Sequence, residues 1–183
     1  MSSGFFSIRD DGTLVDVSQV AFPSEDTLQE LVAKYPRLLS GDEGPSEGFG
    51  EWLFVAREMG IPSEQNQGDR WSVDHLFLAH EGVPTFVGVK RSEDSRIRRE
   101  VVGQLLDYAA NASIFWPMET IQLKFEATCE GSSLDSDEVL SKFLGPDIAP
   151  ELFWERVKTN LQAGRLRLVF LADNPAKVCP GHR

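Results

Sequence analysis

The sequence predicts an α/β fold, a central β-sheet flanked by helices. Three observations carry this. Two runs rich in β-branched and aromatic residues, Trp71–Leu78 and Pro84–Val89, flank a short turn containing Gly82, which is a hairpin pattern. A helical segment, Arg98–Asn111, follows them, and its polar and apolar residues separate by angle. Near the C-terminus a second helix, Pro150–Ala163, leads into the apolar run Leu166–Leu171, read as a further strand of the same sheet. At 183 residues the chain suits one domain with a real core, and its 41% hydrophobic content excludes wholesale disorder.

Taken in order, the first 22 residues read as a hairpin. Phe5–Arg9 and Thr13–Val20 alternate around an Asp11-Gly12 turn, and this ribbon is expected to pack on the edge of the main sheet. Ser24 caps a helix whose first turn carries Glu25 and Asp26. Leu28, Leu31, Val32 and Tyr35 form its apolar stripe, Glu30 lies off that stripe, and Pro36 ends the helix. Arg37–Gly50 and Ile61–Asp69 read as loops, with the apolar strand Trp52–Met59 between them.

The hairpin has a definite register. With the turn centred on Glu81, facing residues have numbers that sum to 162, so Asp74 lies opposite Gly88. Lys90 is two residues further on and projects from the same face. An acid and an amine therefore meet on one side of the sheet, with position 88 between them. In the helix that follows, Arg96, Glu100, Gln104, Asp107, Tyr108 and Asn111 fall within a sector of about 120°. Val101, Val102, Leu105, Leu106 and Ala109 fill the neighbouring sector, so a polar stripe runs beside an apolar face.

These residues resemble the PD-(D/E)xK nuclease superfamily, whose signature is Asp, a gap, then (Asp/Glu)-x-Lys on the next strand. Gln104-Leu-Leu-Asp-Tyr108 is similar to the Gln-x-x-x-Tyr motif of the RecB-like branch. The resemblance implies a restriction-endonuclease-like core with a mixed central sheet. It also implies cleavage of nucleic-acid phosphodiesters, DNA above all, with Mg²⁺ or Mn²⁺. Asp74, position 88 and Lys90, with Gln104 and Tyr108, would be its catalytic set. Asp74 and the backbone carbonyl of Val89 would hold the metal, and Glu30, on the first helix, is the residue the resemblance adds to them. Such chains act in phage defence or DNA repair, and often pair as homodimers.

Gly88 departs from the pattern, because the family has an acid there. Three readings follow: a nuclease silenced by this residue, a site in which Glu100 with Glu30 supplies the missing carboxylate, or an inactive module that binds nucleic acid or a protein partner. A glycine inside a strand also weakens it, so it calls for a reason.

The net charge of −11 excludes a protein that grips nucleic acid over its whole surface, but five of the 18 Lys and Arg fall between Lys90 and Arg99. Arg91, Arg96, Arg98 and Arg99 are the candidate phosphate contacts, since guanidinium pairs with phosphate bidentately. Cys129 and Cys179 lack metal-ligand spacing and read as free thiols of a cytoplasmic protein. No apolar run reaches membrane-spanning length. His75 should point away from Asp74 into packing, and Trp71, Phe77, Trp116 and Trp154 read as core. Glu119–Cys129 reads as a strand from the alternation of Ile121, Leu123 and Phe125; Asp135–Leu144 reads as a helix closed by Gly145-Pro146; 174–183 is a tail.

Overall fold

The computed structural model describes residues 5–17, 23–40, 52–62, 69–90 and 95–172. It is α/β. A four-stranded mixed sheet is built from β3 (Trp52–Pro62), β4 (Asp69–Ala79), β5 (Pro84–Lys90) and β6 (Arg167–Ala172), in that order. The first three strands are antiparallel neighbours and β6 lies parallel to β5. The N-terminal hairpin, β1 (Phe5–Ile8) and β2 (Leu14–Val17), forms a separate two-stranded sheet rather than an edge of the main one. Ile8 and Leu14 are exposed, so alternation alone did not supply a core to pack against.

The helices divide unequally between the two faces. α1 (Glu25–Lys34) and a 3-10 turn at Pro36–Ser40 lie against one. On the other lie α2 (Ser95–Phe115), α3 (Met118–Gly131), α4 (Ser136–Leu144) and α5 (Pro150–Gln162). Ser24 caps α1 as its sequence predicts, its hydroxyl accepting from the Thr27 amide at 3.0 Å. Leu28 and Val32 pack on Trp52, Phe77, Val87 and Val89. Tyr35, expected in that stripe, is exposed. The reason is its place as the C-cap, where the backbone leaves helical geometry.

The larger core lies between the sheet and α2–α5, around Leu76, Leu78, Phe86, Ile121, Phe153, Val157 and Leu161. The segment read as a strand from Ile121, Leu123 and Phe125 is instead α3. Ile121, Phe125 and Cys129 recur every four residues and are buried, while Leu123 is 63% exposed. The period-2 alternation was incidental, and the period-4 stripe decides the element. On the described part of α2 Leu105 and Ala112 are buried, continued by Trp116 just past its end, and Val102 and Leu106 are left exposed against expectation. On α5, Phe153, Val157 and Leu161 are buried as expected, and Leu152 is exposed. Cys129 is a buried free thiol, and burial, with the Asp135 charge, raises it above the ordinary value. Cys179 lies outside the described residues.

The turn between β4 and β5 is pinned to α5. Asn160 Nδ2 donates to the carbonyls of Glu81 at 3.2 Å and Gly82 at 3.0 Å. Asn160→Ala should cost about 1–2 kcal/mol in urea denaturation, because the buried Gly82 carbonyl and the part-buried Glu81 carbonyl lose their donor.

Candidate functional site

The strand register follows the predicted hairpin as far as His75↔Val87. Every paired position of β4 and β5 sums to 162, from Leu78↔Pro84 to His75↔Val87. There the described ladder stops, although both strands continue. β4 goes on with β3, through Met59↔Val73 and Gly60↔Ser72. β5 goes on with β6, through Gly88↔Phe170 and Val89↔Leu171. The two central strands therefore part like a fork, and Asp74 stands at its mouth. Its Oδ2 accepts a hydrogen bond from the Val89 N–H at 2.6 Å, taking the donor that the broken ladder frees.

Leu76, Leu78 and Phe86 sit in the larger core, and on β5 Lys90 shares the parity of Phe86. On β4 the alternation breaks at Asp74, because Val73 joins the same core as Leu76 and Leu78. His75 points the other way, as expected. It is fully buried, and its Nε2 lies 2.8 Å from the Gln29 carbonyl of α1.

Four further groups act on this pair. Burial raises the Asp74 carboxyl above the ordinary aspartate value; the Val89 N–H and Lys90 oppose this, and the charges of Glu25 and Glu58 add to it. Burial also pulls the Lys90 ammonium down. The hydrogen bond and charge of Glu25, together with Asp74 and Tyr108, outweigh it and leave Lys90 raised. Tyr108, half-buried against the larger core, is raised by burial and by Asp74. Lys90 Nζ donates to Glu25 Oε1 at 2.8 Å.

Two of these acids were missed by sequence reasoning. Glu25 reads in sequence only as a charge favouring a helix N-terminus. Whether it reaches Lys90 depends on how α1 crosses the sheet, which no local pattern encodes. Glu58 lies on β3 between the pairs Arg57↔His75 and Met59↔Val73, and so faces Asp74. Its φ of 47° is in the left-handed region, uncommon for a residue with a side chain. Its position was inferable only once the β3–β4 register was known.

The other candidates fall as follows. Glu30 is exposed and is not among the groups whose charge acts on Asp74 or Lys90. Gln104 is exposed on α2, one turn before Tyr108. Val89 contributes its N–H to Asp74. Arg96, Arg98, Arg99 and Glu100 belong to α2, but their side chains lie outside the described residues, as does Arg91 altogether. Among the described residues no three His, Cys, Asp or Glu are grouped closely enough to hold a metal ion. No described helix is long and apolar enough to cross a membrane.

Comparison with known proteins finds no matching family model, no matching curated protein and no matching solved structure.

Proposed function

We propose that the chain is a nucleic-acid phosphodiester hydrolase of the PD-(D/E)xK type, with a restriction-endonuclease-like core, acting on DNA with Mg²⁺ or Mn²⁺. One observation carries the reading: an acid and an amine share the mouth of a strand fork, with a tyrosine from the following helix close enough to perturb both. Phage defence or DNA repair in the cytoplasm, as a homodimer, is the setting the resemblance implies.

The residues bear on the cation as follows. Asp74 has one carboxylate oxygen on Val89, and the other has no hydrogen bond among the described residues. Glu25 and Glu58 are the nearest acids by their effect on it. Mg²⁺ keeps several waters and needs only one or two protein carboxylates besides substrate phosphate, so these residues are compatible with it despite the absence of a three-acid group among the described residues. Bound there, the cation would supply an activated water and Lewis acidity.

The rest follows from the chain's own groups. A raised Lys90 is an ammonium at neutral pH. It therefore serves as a donor and a counter-charge for phosphate oxygens, not as a general base. A raised Tyr108 keeps its phenolic proton and can donate to a phosphate oxygen. Burial at the fork strengthens both interactions.

Gly88 favours a second reading, a module of this fold that binds nucleic acid or a protein partner without cutting it. Calorimetric titration with Mg²⁺ and Mn²⁺, beside cleavage assays on labelled DNA and RNA, separates the two. For the hydrolase, cation binding is lost in Asp74→Ala and cleavage is lost in Lys90→Ala. If the parent is silent, Gly88→Glu should restore cutting. Neither cation binding nor cleavage in the parent and in Gly88→Glu would falsify the hydrolase assignment.

A further inference from the structure

Lys90 ends β5 on the face that α2–α5 cover, whereas α1 lies on the opposite face. Its partner nevertheless comes from α1. Glu25, the first residue of that helix, reaches past the end of the strand to the Lys90 ammonium. The two side chains are 39% and 34% exposed. A pair this open adds little to stability, so its effect is on where the Lys90 side chain rests.

The N-terminal half of α1 is held in place by groups of its own. The Arg57 guanidinium on β3 donates to the Asp26 carboxylate and, at 3.0 Å, to Gln29 Oε1. The His75 ring on β4 holds the Gln29 carbonyl. Leu28 and Val32 are buried beneath. Gln29 is four residues after Glu25, so the anchored turn and the acid lie along one side of the helix. Two neighbouring strands thus set the helix end, and the helix end sets Glu25.

We infer that Glu25 is the positioning residue of Lys90: it fixes the lysine side chain at the fork mouth beside Asp74, a constraint that Gly88, with no side chain, cannot share. The inference deepens the proposed hydrolase and rests on it only for what Lys90 is held to do. The hold itself is independent of any cleavage. Released from Glu25, the flexible four-carbon stem would sample several rotamers, and burial would act on the ammonium with less opposition.

The test uses the full chain with isotope-labelled lysine. The Lys90 side-chain NMR signals are assigned by their disappearance in Lys90→Arg. In Glu25→Gln and Glu25→Ala the Lys90 methylene signals should collapse toward averaged, solvent-like values. Glu30→Gln should leave them as in the parent. Parent-like Lys90 methylene signals in Glu25→Ala, or an equal collapse in Glu30→Gln, overturn the inference. The readout needs no activity, so the role of Glu25 is decided even in a chain that never cuts nucleic acid.

Discussion

Gly82→Ala is expected to lower the unfolding free energy by about 2–4 kcal/mol, read from urea denaturation at constant m-value. Two costs combine. Gly82 sits at φ 75°, where a side chain strains the backbone. A Cβ added there would also lie 2.9 Å from Arg156 Cβ and 3.0 Å from the Val157 amide nitrogen of α5. The second contact is backbone, so it can be relieved only by moving the turn or the helix. Moving the turn disturbs the β4–β5 register that leads to Asp74 and Lys90, so any activity should fall along with stability. Ordinary stability in Gly82→Ala would show that the turn stands further from α5 than this packing has it.

Acid should weaken the fold through His75. Burial, with Arg57 nearby, lowers its pKa from 6.5 to about 4, while the Gln29 carbonyl opposes the shift. The ring is neutral: Nε2–H donates to Gln29, and Nδ1 is buried without a hydrogen-bond partner among the described residues. A proton on Nδ1 would be a buried donor with nothing to receive it. The sign follows from linkage. The unfolded chain takes up a proton below pH 6.5 that the folded chain refuses until about pH 4, so stability is full above 6.5 and is lost as pH falls through that window. The loss is about 2–3 kcal/mol. Urea denaturation between about pH 7 and 4.5 measures it. His75→Gln keeps a donor for the Gln29 carbonyl but cannot titrate, and should flatten that part of the profile. A parent profile as flat as that of His75→Gln would mean the ring charges freely in the fold.

Much of the sheet was legible from the chain. The β4–β5 register followed from one assumption about the turn, and the structure reproduces the sum of 162 at each paired residue. Where local pattern was ambiguous, the reading failed in understandable ways. Ile121, Leu123 and Phe125 satisfy a strand period, while Ile121, Phe125 and Cys129 satisfy a helical one, and only packing chose between them. Glu30 came from the family resemblance, and no local pattern marked Glu25, because a helical wheel gives the angle of a side chain and not where along the sheet its helix begins.

What the sequence determined by itself is the register of β4 on β5, which brings Asp74 and Lys90 to one end of the hairpin and turns His75 away from Asp74, because it follows from the two-residue period of strands joined by a tight turn. What only the tertiary structure decided is the company those two residues keep. Glu25 and Glu58 reach them through the placement of α1 and through the β3–β4 register. These are contacts between segments distant in the chain, fixed by how apolar faces pack and by no pattern local to either segment.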